Sequence, residues 1–340
     1  MNKISTYIKH HKIKSASIAM LLVVYLFCLP NQLFKSPTAT VITSKDKALL
    51  GAQIAADGQW RFPHNDSIPD KFKTCIIQFE DEYFYKHPGF NPVSIFKALR
   101  DNLKSNGVKR GGSTLTQQVI RLSRNGQKRT YFEKIKEIIL ATRLELRVSK
   151  AKILAYYSSN APFGGNVVGL DAASWRYFNR NAHELSWAEI ATLAVLPNAP
   201  SLIYPGKNKE ALLKKRNLLL KKLLINTVID TLTYNLSIAE SLPQKPYPLP
   251  QTAPHLLQKV AQTHTGKHIR TTINTTLQER INHLVKTHYN QLKQNEIYNA
   301  AVLVLDVKNR QVLAYVGNTP TDKAHQKDVD IIDKPRSTGS

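Results

Sequence analysis

A chain of 340 residues is long enough for two ordinary domains, each with its own core. Its 48 Lys and Arg against 24 Asp and Glu leave a formal charge of +24, which points to a polyanionic partner: nucleic acid, or an anionic membrane with its phospholipid-like substrates. Two cysteines, Cys28 in an apolar stretch and Cys75 in a predicted helix, exclude a disulfide-stapled scaffold, and no Cys/His cluster has zinc-ligand spacing.

The amino terminus narrows the choice of anion. Lys3, Lys9, Lys12 and Lys14 precede an uncharged run from Ser15 through Phe34, ~20 residues, the length that spans a bilayer as a helix. Basic residues before it hold that end in the cytoplasm and send the remainder outside. Thr38-Ala39-Thr40 is a poor site for signal-peptide cleavage. The pattern therefore predicts a basic tail over 1–14 and a transmembrane signal anchor over 15–34, and nucleic acid is not an expected partner.

Short strands with corners at Lys45-Asp46-Lys47 and Asp57-Gly58 form a small β-rich segment over 41–66. From Ser67 to about Ala199 the pattern is almost wholly helical. Ser67 with Pro69 opens a helix that His87-Pro88-Gly89 stops. A second helix spans Thr130 to Val148, with Ile135, Ile138, Ile139, Thr142 and Leu146 spaced for one buried face. Leu185-Ser186-Trp187-Ala188-Glu189 opens another, ending near Leu196-Pro197, and Leu212 to Leu224 reads as an amphipathic surface helix. The proline-rich stretch Ser241 to Pro250 reads as a stiff linker within 236–265. Two strands follow, at 300–306 and 311–316.

An acidic pair, Glu80-Asp81, sits inside an apolar run, and burying a carboxylate is costly unless it is paired or used. Helical spacing would put Glu80, Phe84 and His87 on one face. Spacing alone leaves open an exposed acidic turn, just as it leaves Glu133, Lys134 and Glu137 open as surface ion pairs. Gly111-Gly112-Ser113-Thr114 reads equally as a flexible loop or, behind Lys109-Arg110, as backbone N–H groups suited to a pyrophosphate.

The order of these segments resembles the glycosyltransferase domain of the peptidoglycan glycosyltransferases (family 51) found in class A penicillin-binding proteins. Glu80, Asp81, Phe84, His87 and Gly89 match its first motif, and Gly111 to Gln118 its second, Gly-Gly-Ser-Thr-x-Thr-Gln-Gln. Lys134, Glu137, Leu144 and Glu145 meet the third, Ile153-Leu154, Tyr157 and Asn160 resemble the fourth, and Leu185-Ser186, Glu189, Leu196-Pro197 and Pro200 the fifth. Asp57 to Pro63, Ala161 to Gly165 and Ala253 to Leu256 are similar to one branch of that family. Asn91, Lys97 and Ser159 depart from its usual residues without removing any group to which the resemblance gives a catalytic role.

The resemblance implies a mainly α, lysozyme-like glycosyltransferase domain over 67–235 that polymerises lipid II into glycan strands. Glu80 would be general base, with Lys134 and Glu137 as further catalytic residues. Asp81, Phe84, His87, Gly111, Gly112, Ser113, Thr114, Thr116, Gln117, Gln118 and Asn160 would contact substrate. A divalent cation, Mg or Mn, would accompany the substrate pyrophosphate. The implied place is the outer, periplasmic side of the cytoplasmic membrane, on a single-pass anchor. The implied partners are lipid II, the growing glycan, the membrane and other cell-wall synthesis proteins. Residues 266–340 resemble the start of an α/β transpeptidase domain ending at a nucleophile remnant, Ser340, with no Lys three residues on, so no transpeptidase activity is expected of this chain. Two other readings carry forward: a glycan-cleaving enzyme of lysozyme-like fold, and an inactive cell-wall scaffold.

Overall fold

The computed structural model describes residues 12–104, 112–127 and 130–334. The basic tail before Lys12, Lys109 to Gly111, and Pro335 to Ser340 lie outside the described residues. Helix α1 (Lys12–Phe27) carries the uncharged run only as far as Phe27. Pro30 accounts for the stop, because a proline pushes the residue before it out of the α region. The 16 residues of α1 rise about 24 Å, short of a ~30 Å hydrocarbon layer. Among the described residues no helix is long and apolar enough to cross a membrane, and the expected span over 15–34 is not one continuous helix.

Strands β1 (Thr40–Thr43), β2 (Leu49–Gln53) and β3 (Trp60–Arg61) follow, as the turn signals at Lys47 and Gly58 require. β1 pairs with β2 antiparallel and, on its other edge, in parallel with β6 (His268–Arg270). β1 and β2 of the segment at 41–66 therefore share a three-stranded sheet with β6 from after 266. Side chains alternate across a strand, so Val41 and Leu49 enter the main core while Ile42 and Leu50 enter a second, with Ala253, Ile273 and Tyr315. The stretch read as a linker contributes to both: Leu242 and Leu249 are buried in the main core, and helix α11 packs on β1 and β2 (its range, Pro254–Thr263, fell inside the expected linker). Strands β7 (Val302–Leu305) and β8 (Val312–Val316) form the expected hairpin against helix α12 (Thr275–Leu292).

The main body is helical: α2 (Asp70–Glu80), α3 (Pro92–Lys104), α4 (Leu115–Ser123), α5 (Tyr131–Arg147), α6 (Lys150–Asn160), α7 (Leu170–Phe178), α8 (Trp187–Val195), α9 (Lys209–Ile225) and α10 (Thr231–Ala239). A short hairpin, β4 (Pro162–Gly164) with β5 (Val167–Val168), joins β3. Ser186 and Glu189 close a reciprocal capping box at the start of α8. α9 is amphipathic as its spacing predicts: Leu212, Leu219, Leu220 and Leu223 are buried against α2 and α8, while Lys214, Leu218 and Lys221 on the other face are exposed. Its Arg216, also buried, donates to the carbonyls of Glu240 and Ile238 at the end of α10.

Two elements differ from the periodicity in ways that build the site. α2 starts at Asp70, without a side-chain cap, and ends at Glu80 rather than at His87. Glu80, Phe84 and His87 therefore do not share a helix face. Asp81 is extended (φ −157°, ψ 75°) and Phe84 lies in a 3-10 turn with its ring fully buried, a burial that contributes about 1.5–3 kcal/mol. In α5 the faces are reversed. Ile135, Ile139 and Leu146 are exposed, while Glu137, Ala141 and Leu144 turn inward.

Candidate active site

The first and second motif segments are docked by three ties. The backbone N–H of Leu115 donates to Asp81 Oδ2 (2.9 Å), the Thr114 hydroxyl donates to the carbonyl of Gly89 (2.7 Å), and the Gln118 amide donates to Glu80 Oε2 (2.8 Å). Thr114 also caps α4 by accepting from the Gln117 N–H. Two glycines make the approach close. A side chain on Gly89, whose φ is +94°, would reach 2.8 Å from the carbonyl oxygen of Ala141, and one on Gly112 would reach 2.9 Å from that of Ser94.

Asp81 and His87 are both buried, with His87 Nε2 3.0 Å from each carboxylate oxygen. The Gly89 N–H can only donate, and it points at Nδ1 (3.1 Å). Nδ1 is therefore the bare nitrogen and Nε2 carries the proton toward Asp81. Thr116, fully buried, donates to Glu145 (2.6 Å), which also takes Lys150 (2.7 Å); the same ammonium donates to the His87 carbonyl and lies 4.4 Å from the Phe84 ring centroid. Asp81, Phe84, His87 and Thr116 are thus enclosed and support the turn. Asn160 lies apart, its amide donating to the carbonyl of Tyr156 in its own helix.

Glu80 is half-buried at the end of α2. Burial pushes its carboxyl above the ordinary carboxylate range. The Gln118 and Asn198 amides and the charge of Lys215 act against that rise, and Asp81 adds slightly to it. The buried Tyr157 phenol on α6 is raised well above its ordinary value by burial first and the Glu80 charge second.

A different face of α4 holds cations. Ser113, Gln117 and Arg121 recur at four-residue spacing and meet Lys134 and Glu137 of α5. The Lys134 ammonium donates to Ser113 Oγ and to Gln117 Oε1, both at 2.7 Å. Arg121 grips Glu137 with Nε at 2.7 Å and a terminal nitrogen at 2.8 Å, and the same nitrogen reaches Ser113 Oγ (3.3 Å). Lys134 stands 3.6 Å from Glu137. Two cations share one carboxylate, so the cluster keeps a net positive charge, with Arg121, Lys134 and Ser113 partly exposed. Such a cluster suits a multiply charged oxyanion. Thr114 and Gln117 are buried behind it, while Glu80, Gly112 and Gln118 share its partial exposure.

Arg121 lies outside the motif segments and Asn198 occupies an unspecified position within the fifth, so the motifs single out neither. Lys215 was hidden among the lysines of α9. Arg121 is discoverable in principle, standing four residues from Gln117 on a helix whose N-cap, Thr114, follows Ser113. No group of three His, Cys, Asp or Glu among the described residues could hold a metal, and both oxygens of Glu137 face Arg121.

The transglycosylase family model matches residues 48–224. Penicillin-binding protein 1C of Escherichia coli (strain K12) is 34% identical over 313 residues, covering 92% of this chain and 40% of that protein. Penicillin-binding protein 1A of Aquifex aeolicus (strain VF5) is 35% identical over 180 residues, covering 53% of this chain and 25% of that one. The crystal structure of penicillin-binding protein 1A from Haemophilus influenzae matches at a TM-score of 0.34 and 15% identity, over 81% of this chain and 32% of that one, too loosely to carry an argument. The chain spans less than half the length of these relatives.

Proposed function

Because this chain belongs to the transglycosylase family, we propose that it is a peptidoglycan glycosyltransferase that polymerises lipid II with Glu80 as general base. The observation that carries the reading is the division of labour around α4: a half-buried carboxylate of raised proton affinity beside Gln118, and an anion clamp beside Ser113 and Gln117.

Glu80 takes the proton of the 4-hydroxyl on the incoming sugar as that oxygen forms a bond to the anomeric carbon of the growing chain. The anomeric carbon–oxygen bond to the pyrophosphate breaks on the opposite face, and its electron pair leaves with the lipid pyrophosphate, with inversion. Arg121, Lys134 and Ser113 meet the charge that develops on that leaving group. Glu137 holds the two cations in place and takes no proton in this scheme. Among the described residues, no group of three His, Cys, Asp or Glu is placed to hold a resident metal. A Mg or Mn ion would enter with the pyrophosphate itself, and no step is assigned to it.

The reading locates the site at the outer face of the cytoplasmic membrane. In support, Val93 and Phe96 of α3 and Tyr131, Phe132, Ile135 and Ile139 of α5 are exposed. α1 also lies against α5, with Tyr25 bonded to Thr142 and Arg143 to the Leu26 carbonyl. An apolar surface of this kind marks contact with lipid or a partner.

The test is product analysis after incubating the detergent-solubilised chain with labelled lipid II and Mg²⁺ or Mn²⁺. Long glycans that grow with time are expected. Cleavage of preformed glycan into short fragments would establish the lysozyme-like alternative, and no turnover by a folded sample would establish the scaffold.

A further inference from the structure

Lys215 occupies an unusual position for a lysine on α9. Its neighbours Lys214 and Lys221 are exposed, whereas Lys215 is half-buried, and that burial lowers its own pKa. Its ammonium meets the amide oxygen of Asn198 at 2.7 Å. An ammonium only donates, so Asn198 must turn Oδ1 toward Lys215. The amide nitrogen then faces Glu80, 3.5 Å from Oε1. The lysine and the carboxylate thus favour the same orientation of the amide, oxygen to the cation and nitrogen to Glu80, and losing the lysine removes the shorter of its two anchors.

Building on the reading of Glu80 as general base, we infer that Lys215 is a positioning residue for it, acting through Asn198: the lysine helps fix which end of the amide the carboxylate meets and supplies the cation that keeps it ionised. The groups facing Glu80 come from each element around it. Asp81 is adjacent on the chain and occupied with His87. Gln118 of α4 donates to Oε2. Tyr157 of α6 presents a buried hydroxyl without a partner. Asn198 comes from the turn after α8, and Lys215 from α9. Among these Lys215 is the cation. A base works ionised, so activity falls as pH drops through the Glu80 pKa. A nearby cation lowers that pKa, and removing it must raise the pH at which activity is lost.

The experiment is the pH dependence of kcat/KM for lipid II polymerisation by the full chain, with Lys215→Met, Lys215→Arg, Asn198→Leu and the double variant Asn198→Leu/Lys215→Met beside the parent. Lys215→Met is expected to move the midpoint of the acid limb upward by about 0.5 to 1 pH unit. Lys215→Arg should restore it, and the double variant should move less than the two single moves added together, because part of the lysine's effect passes through Asn198. An unmoved midpoint with a uniformly lower rate overturns the inference, as does a raised KM alone. If Lys215→Met fails to fold, Asn198→Leu at its exposed site carries the same test: the same upward move supports the inference and none overturns it. Glu80→Gln in the same assay separates the two levels. Continued polymerisation by Glu80→Gln removes the underlying reading, whereas an inactive Glu80→Gln with an unmoved acid limb in Lys215→Met removes only this one.

Discussion

Two glutamates stand beside different faces of one short helix and keep different company. Glu80 is met by neutral amides, Gln118 at 2.8 Å and Asn198 at 3.5 Å, with Lys215 one side chain removed. Glu137 is gripped at both oxygens by Arg121, with Lys134 at 3.6 Å. The carboxylate to which the proposed scheme gives the proton is left short of cations, and burial raises its proton affinity. The other carboxylate is saturated by cations. The same residue type is thus given two different environments by its partners alone.

The contrast breaks most readily on the cation side. Arg121→Met, which removes the bidentate partner of Glu137 and one arm of the clamp, is expected to raise the KM for lipid II by roughly 10- to 100-fold, the equivalent of one or two charge-assisted bonds. Steady-state kinetics at fixed ionic strength would read it, and an unchanged KM would free Arg121 from any part in binding. Next in size is Asp81→Asn. Gly89 fixes the His87 proton on Nε2, so the amide nitrogen, in place of either oxygen, would face an N–H donor of His87 or Leu115. Chemical denaturation should show a loss of about 1–3 kcal/mol, with the Glu80 carboxylate itself untouched. Parent stability in Asp81→Asn would mean the tie between the first two motif segments is dispensable.

A smaller effect follows from pH. The Glu80 carboxyl titrates above its ordinary value, so kcat/KM should fall on acidification at a pH higher than for an exposed glutamate. The sign follows from the need for the ionised base. An acid limb at the pH of an exposed carboxylate would put Glu80 in water rather than in its half-buried pocket. The smallest effect is expected at Lys73, whose pair with Asp70 is exposed. Lys73→Ala should change stability by less than about 0.5 kcal/mol and leave turnover alone.

Much of this arrangement could be read in the sequence because it lies in contiguous motifs. Glu80, Ser113, Gln118, Lys134 and Glu137 were all singled out, and the fold gathers them about α4. The failures have physical causes. Periodicity assumes that apolar side chains turn inward, yet α5 turns Lys134 and Glu137 toward α4 and leaves Ile135 and Ile139 outside. α2 stops at Glu80 because Asp81 is recruited by His87 and by the Leu115 N–H, a tertiary contact no local pattern announces. The parallel pairing of Val41 to Thr43 with His268 to Arg270 joins strands from nearly opposite ends of the chain, and only the fold reveals it. Lys215 looked like one lysine among several on an amphipathic helix until its depth distinguished it.

The most direct measurement compares the folded parent and Glu80→Gln on labelled lipid II, following substrate binding and polymer formation in the same samples. Bound substrate should be unchanged while polymer formation falls on the order of 10²- to 10⁴-fold, the usual contribution of a positioned general base. Polymer formed by Glu80→Gln at the parent rate would contradict the account and leave the anion clamp without its base.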